Sequence, residues 1–153
     1  MKIPLDVRTY NEGLMSYATV HLLMPGKKFH NATIRGIFWP FVDTGSPFTV
    51  ISQTDAERLH ITAFDTPRVI LFGGAEQYKY DIKGVVLKVS CEDKHTMYDV
   101  SIPNFGVLGP IPNNPKSIQA SKRVPSVIGV DLLLIHKFSL YFKPCERIAY
   151  LEQ

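Results

Sequence analysis

Cysteine is scarce in this chain. Cys91 and Cys145 are the two thiols in 153 residues, too few for a disulfide framework. The expectation is a pair of unpaired cysteines in a reducing compartment, with a single bridge as the alternative. Long apolar runs are missing as well, so no segment has the length of a membrane span. The opening residues Met1-Lys2-Ile3-Pro4-Leu5-Asp6 hold no secretory apolar stretch, and a cytoplasmic protein is expected. For the same reason the triplet Asn31-Ala32-Thr33 reads as coincidence rather than as a glycosylation acceptor. A formal net charge of +3 is too small to imply nucleic acid, and no basic run is interleaved with aromatics. Lys27-Lys28 and Lys122-Arg123 read as solvated loop charges. The histidines His21, His30, His60, His95 and His136 do not combine with the cysteines at metal-ligand spacing, so they read as surface residues. There is no Gly-x-Ser-x-Gly elbow and no glycine loop of the phosphate-binding kind. Metal, cofactor, membrane and nucleic acid are all outside what this sequence predicts.

What is present is an ordinary globular composition. With 45% hydrophobic and 20% charged residues, the chain suits one domain over residues 1–153, long enough to bury a real core. Most of it reads as strand. Residues 17–24 are β-rich and stop at Pro25-Gly26, and 33–38 resume as a hairpin partner. A short strand at 49–51 precedes Ser52, which has the position of a helix N-cap answered by Asp55, with a helix over 54–59. Val69-Ile70-Leu71-Phe72 and the segment ending at Tyr78-Lys79-Tyr80 read as two arms of a hairpin with Gly73-Gly74 at its tip. Residues 84–89 and 97–102 are strands. From 103 to 125 Pro, Gly and Asn crowd together, which predicts a long loop, functional or mobile. Residues 127–135 read as a strand breaking at Gly129 into a short helix, and 138–142 and 147–151 as closing strands.

The most informative stretch is Phe41-Val42-Asp43-Thr44-Gly45-Ser46-Pro47-Phe48-Thr49-Val50-Ile51. Asp and Gly are depleted in strands, so Asp43 and Gly45 between two apolar runs mark a tight loop pinned between two strands. Such a loop holds a carboxylate rigidly at the base of a cleft; the plainer alternative is an Asp that bonds its own turn. The motif occurs once. A fainter echo, apolar-apolar-Gly-Val-Asp, ends the second half.

The run from Phe41 to Ser46, with Val127-Ile128-Gly129-Val130-Asp131-Leu132-Leu133 downstream, resembles the retropepsin-like aspartic proteases. The likeness covers most of the chain, and the longer spacing between motifs suits cellular and prokaryotic members. It implies a mainly β fold: a small closed β-barrel with one short C-terminal helix and a hairpin flap. It implies a homodimer, because each subunit of that family supplies one Asp. By resemblance, Asp43 and its symmetry mate hold and activate a water, Thr44 bonds across the dimer, and Gly45 admits the substrate backbone. Gly129 packs under the loop, and the Gly73-Gly74 hairpin folds over bound peptide. Ser46, Phe48, Gly73, Gly74, Ala75 and Ile128 are the expected substrate-binding set. Phe48 and Ile128, like Val50, Ile70 and Ile111, are equally well read as core, and Tyr78 and Tyr80 as strand packing.

The physics agrees with the single copy. Two carboxylates sharing a site cannot both ionise easily, so a pair holds one proton, one member serving as base and the other as acid. One Asp-Thr-Gly is half of that arrangement, and a symmetric dimer completes it. Viral members carry an acid and an Arg that pair with each other at the places held here by Pro47 and Val130. Both partners are absent together, which leaves no orphan charge. Asp131 reads as an acid at a short helix start. The expected function is a homodimeric aspartic endopeptidase acting on a peptide or protein, without metal or cofactor. The alternative is a catalytically silent dimer of the same fold that binds peptide or serves assembly.

Overall fold

The computed structural model describes residues 1–25, 32–62 and 65–153, and side chains outside 25–35 and 63–64. The turn at Gly26, the Lys27-Lys28 pair, His30 and the Asn31 triplet lie outside the described residues. The N-terminal residues form a hairpin of β1 (Lys2–Tyr10) and β2 (Gly13–Tyr17). β3 (Val20–Pro25) pairs antiparallel with β4 (Ala32–Phe38). The two-residue strands β5 (Phe41–Val42) and β6 (Val50–Ile51) flank the loop 43–49. Helix α1 (Gln53–Arg58) follows, capped by Ser52 as expected. Next come the hairpin β7 (Arg68–Phe72) and β8 (Ala75–Ile82), then β9 (Val85–Ser90) and β10 (Met97–Ile102). β11 (Phe105–Gly109), α2 (Pro115–Ser121), β12 (Val127–Ile128) and α3 (Val130–Ile135) lead to β13 (Ser139–Lys143), a 3-10 turn and β14 (Ile148–Glu152).

The strands form two sheets. The larger runs β13-β14-β1-β2-β5-β12-β6-β11-β8-β7, and the smaller β10-β9-β3-β4. Neither order returns on itself among the described residues, so the pairing describes two packed open sheets rather than the expected closed barrel. Strand alternation explains the packing. Val85, Leu87 and Val89 of β9 and Val20 and Leu22 of β3 face inward, meeting Ile3 and Leu5 of β1 and Ala149 and Leu151 of β14. Phe38 and Phe105, both buried, meet edge to face at 6.4 Å, as Tyr17 and Phe41 do at 6.2 Å.

The central strands are buried on both faces, and adjacent residues part company there. Val42, Ile51, Val107 and Ile128 join the large core, while Phe41, Val50, Leu108 and Val127 form a second cluster with Met15, Tyr17, Ile70 and Phe72. A period of two over β5, β6, β11 and β12 therefore builds a wall with an apolar layer on each side.

The segment before the second motif departs from the sequence reading. The segment 103–125 is ordered structure: β11 and α2 occupy most of it. Pro115 marked a loop by composition, yet it stands at the first turn of α2, where a missing N–H costs nothing, and Asn114 Oδ1 accepts the Ser117 amide at 3.1 Å. In β11 the two glycines hid a fully buried strand. Gly106 is there for space, since a Cβ on it would lie 2.6 Å from Lys79 Cε and 2.9 Å from Val50 Cγ1. Of the three short helices among the described residues, α1 and α3 stand where helices were read at 54–59 and after Gly129, and α2 is the addition to the one C-terminal helix that the resemblance implied. Within the chain the first and last strands pair with each other. β1 lies between β14 and β2, with Lys2 opposite Glu152 and Ile3 opposite Leu151. Both cysteines are free, Cys91 buried and Cys145 exposed. No helix among the described residues is long and apolar enough to cross a membrane.

Loss of the α2 cap gives a direct check. Asn114→Ala should lower unfolding stability by about 1 kcal/mol, the usual worth of such a cap, read from urea midpoints followed by circular dichroism.

Candidate active site

β5 and β6 are joined by the loop 43–49, and β12 lies between them. β12 runs parallel to β5, with Val127 opposite Phe41 and Ile128 opposite Val42, and antiparallel to β6. The second motif is thus threaded through the first. The Phe41 amide donates to the Ser126 carbonyl at 3.0 Å and the Asp43 amide to the Ile128 carbonyl at 3.0 Å. Asp43 is in this way carried to the end of a buried strand and left half-exposed at the top of it.

The loop closes on itself and on the segment 129–132. Gly45 N–H donates to Asp43 Oδ1 at 2.8 Å, and Ser46 N–H to the Asp43 carbonyl at 3.2 Å. One carboxylate oxygen is thereby held toward the turn, as the plain Asx-turn reading anticipated, while the residue stays open to the cleft. The buried Ser46 donates its hydroxyl to the Phe48 carbonyl at 2.9 Å, and its own carbonyl accepts the Val130 amide at 2.9 Å.

Thr49 completes the junction. Its hydroxyl donates to Asp131 Oδ1 at 2.6 Å and accepts the Gly129 amide at 3.0 Å, and its amide donates to Asp131 Oδ2 at 3.0 Å. Asp131 also accepts the Leu132 amide at 2.8 Å. The helix-start role expected of Asp131 is present, with a cross-link to Thr49 added. Pro47 and Val130 supply no charge pair; the bracing of the loop against the second motif comes from these hydrogen bonds. Gly129 is required by closeness rather than by conformation. A Cβ there would lie 2.4 Å from the Phe48 carbonyl oxygen and 2.8 Å from that of Ser46, both backbone atoms that cannot swing away.

Ser126, at the entry to β12, does a similar job toward α1. Its hydroxyl accepts the Ser52 amide at 2.9 Å and donates to Asp55 Oδ2 at 2.6 Å. The capping box read from Ser52 and Asp55 is therefore closed through a third side chain. Sequence spacing could not have shown this, because Ser126 is 71 residues beyond Asp55.

Above the loop stands the β7–β8 hairpin. Phe72 pairs with Ala75 across a two-residue turn, and Gly73 and Gly74 take φ of 63° and 79°. Positive φ at both central residues is what a tight hairpin of this hand demands, and glycine meets it without strain. Gln77, fully buried, donates Nε2 to the Phe72 carbonyl at 2.8 Å and ties the turn to its own strand. Gly73 packs against Val124, which precedes β12; a Cβ on Gly73 would lie 2.3 Å from Val124 Cγ2.

Between hairpin and loop is an open cleft of about 430 Å³. Of the residues singled out from sequence, Asp43, Gly45, Ser46 and Gly73 line it. Thr44 is exposed at the loop tip outside it. Gly74 and Ala75 line a neighbouring hollow on the other side of the turn. Phe48 is half-buried in the second apolar cluster, with the Lys79 ammonium 5.1 Å above its ring. That lysine is buried and paired with Asp81, which also holds Arg68 at 3.1 Å. Ile128 faces the large core, 2% exposed, and Val127 beside it lines the cleft. A one-residue step along a strand exchanges its faces, and an unbroken apolar run carries no mark of which face is which.

The cleft also uses residues that the sequence reading did not name for it: Tyr10, Leu71, Phe72, Arg123 and Val124. Leu71 is 76% exposed, an unpartnered apolar side chain at the mouth. Its signal was the Val69–Phe72 run, which alternates in burial although every member is apolar. Nearby, burial pushes the Tyr17 phenol above its ordinary value, with the Tyr10 phenol adding to it, so Tyr17 stays a neutral packing group under Phe41. No group of acids, histidines and cysteines among the described residues is placed to hold a metal.

No protein-family model matches the chain, and no curated protein sequence matches it. Among solved structures, its fold is similar to the crystal structure of a retropepsin-like aspartic protease from Rickettsia conorii. The TM-score is 0.55 over 99% of this chain and 89% of that one, at 15% sequence identity. At that identity the likeness speaks for the fold.

The junction is open to test by substitution. Gly129→Ala should cost about 2–4 kcal/mol, because overpacking here meets backbone. Thr49→Val should cost about 1–3 kcal/mol by orphaning the Gly129 amide and taking one of the two hydrogen bonds from Asp131 Oδ1. Both are read as shifts of the chemical unfolding midpoint against wild type.

Proposed function

We propose that this protein is an aspartic endopeptidase that acts as a homodimer and cleaves peptide bonds without metal or organic cofactor. The observation that carries the reading is the placement of Asp43: one half-exposed carboxylate, on a loop fixed by the Thr49–Asp131–Gly129 junction, at the floor of an open cleft beneath a glycine-tipped hairpin. The retropepsin-like fold agrees with it.

In the dimer, the Asp43 carboxylates of two copies share one proton and hold one water. The ionised carboxylate takes a proton as the water oxygen attacks the peptide carbonyl, and the protonated one donates to the carbonyl oxygen. The tetrahedral adduct then collapses. A proton passes to the leaving nitrogen, the C–N bond breaks, and an acid and an amine depart. Gly45, without a side chain, leaves room for the peptide backbone, and the β7–β8 hairpin covers it. Thr44, exposed at the loop tip, is the residue best placed to meet the second copy. The Asp43 loop is the surface that has to meet the partner, since each copy supplies one carboxylate. The two free thiols fit a reducing, cytoplasmic setting.

A second reading is a dimeric peptide-binding module on the same fold. The missing acid–Arg pair at Pro47 and Val130 favours it, because that pair would brace the loop near the dimer interface.

Cleavage of an unfolded protein separates the two. Wild type should cleave, with activity per chain rising as protein concentration rises through the dimer range. Asp43→Asn should lose at least about a thousandfold, the scale of removing a positioned base from such chemistry. Equal rates for the two proteins, or a strict monomer by sedimentation at high concentration, would end the protease reading.

A further inference from the structure

Beside the Asp43 cleft lies a second hollow, of about 230 Å³, between the β7–β8 turn and α2. Lys116, Gln119 and Arg123 line it from one side, and Gly73 and Gly74 from the other. The spacing explains the first set. Positions 116, 119 and 123 fall on one face of a helical path, which continues past α2 because the Val124 amide still donates to the Ala120 carbonyl at 3.0 Å. Gly73 and Arg123 line both hollows, so the two share a wall.

The charge of this second hollow is one-sided. Lys116 and Arg123 are exposed, and the side chain of neither belongs to an ion pair or hydrogen bond among the described residues. No acidic side chain lines it; Glu76, the closest acid along the hairpin, lines neither hollow. On the facing hairpin, by contrast, each cation has an acid: Lys79 and Arg68 both meet Asp81.

We infer that this hollow is a subsite for an acidic side chain, Asp or Glu, of a peptide lying in the Asp43 cleft. The inference rests on the reading of that cleft as a peptide-binding one. Arg123, at the shared wall, offers the planar fork that grips a carboxylate with two parallel bonds, and Lys116 adds a point charge behind it. The glycine turn leaves the opposite wall bare, which gives the carboxylate room to enter. Because the hollow is open to water, the gain is modest: about three- to tenfold in affinity for an acidic side chain over its neutral isostere.

The test is fluorescence anisotropy with labelled peptides of one apolar sequence, in which a single Glu moves position by position, each paired with its Gln isostere. Wild type should bind the Glu form of one position three- to tenfold tighter, at low salt, and lose that margin as salt rises. The margin should vanish in Lys116→Gln/Arg123→Gln and persist in Lys122→Gln, which removes a neighbouring charge that lines neither hollow. Equal affinity for every Glu and Gln pair overturns the inference. So does a margin that survives the double substitution, or one that Lys122→Gln abolishes equally. Cleavage of the same peptides is followed in parallel. Selective binding without cleavage defeats the protease reading and leaves the subsite standing; cleavage with no acidic margin does the reverse.

Discussion

The Thr49 hydroxyl donates to Asp131 and accepts from the Gly129 amide, joining segments 80 residues apart in one buried knot. The position of Asp43 follows from it. With Gly129 drawn against the carbonyls of Ser46 and Phe48, the loop 43–49 has a fixed floor, and β12 is held between the two strands that the loop connects. A carboxylate on a free turn would sample many orientations; this one is presented by a backbone that is bonded at both ends and underneath. Preorganisation of that kind is what a positioned acid or base requires, since its geometry is set before any ligand arrives.

The same junction replaces a device that the sequence lacks. Where an acid and an Arg would brace the loop, Pro47 is exposed and Val130 offers only its amide, to the Ser46 carbonyl. A buried ion pair carries a heavy desolvation cost and specific geometry, whereas hydroxyl-carboxylate and amide-carbonyl bonds hold the same segments with a smaller one. The Ser126 relay to Ser52 and Asp55 extends the scheme to α1. Buried hydroxyls and half-buried carboxylates, each with a hydrogen-bond partner, thus tie the two halves of the chain where the second motif crosses the first.

Much of this was legible beforehand because it is local. The Asp-Thr-Gly loop, the Ser52 cap, the Gly73-Gly74 turn and the break at Gly129 each arise from neighbours in sequence, and local chemistry announces itself. What was not legible came from pairing at a distance. Ser126 has no motif of its own, and Tyr10 reaches the cleft only because the β1–β2 hairpin joins the sheet through β2 beside β5. Ile128 and Val127 could not be sorted because a strand buried on both faces has no polar residue to mark the inside. The segment 103–125 misled for a different reason: Pro115 and the glycines of β11 are breakers in general and compatible in these particular positions. The closed barrel came from the resemblance rather than from the residues, and the strand pairing gives two open sheets in its place.

The two-faced wall at the centre of the fold sets how this protein can change. Phe41, Val50, Leu108 and Val127 look toward the hairpin, and Val42, Ile51, Val107 and Ile128 toward the main core. Of the first set, Phe41 and Val127 line the cleft, so substitutions at those two reshape its floor while leaving the main core's own packing in place. Gain or loss of one residue is another matter. In a two-residue strand such as β12 it would exchange the two sets outright, putting scaffold side chains into the cleft and moving Asp43 with them. Variation in this region should therefore accumulate as replacements and stop short of insertions.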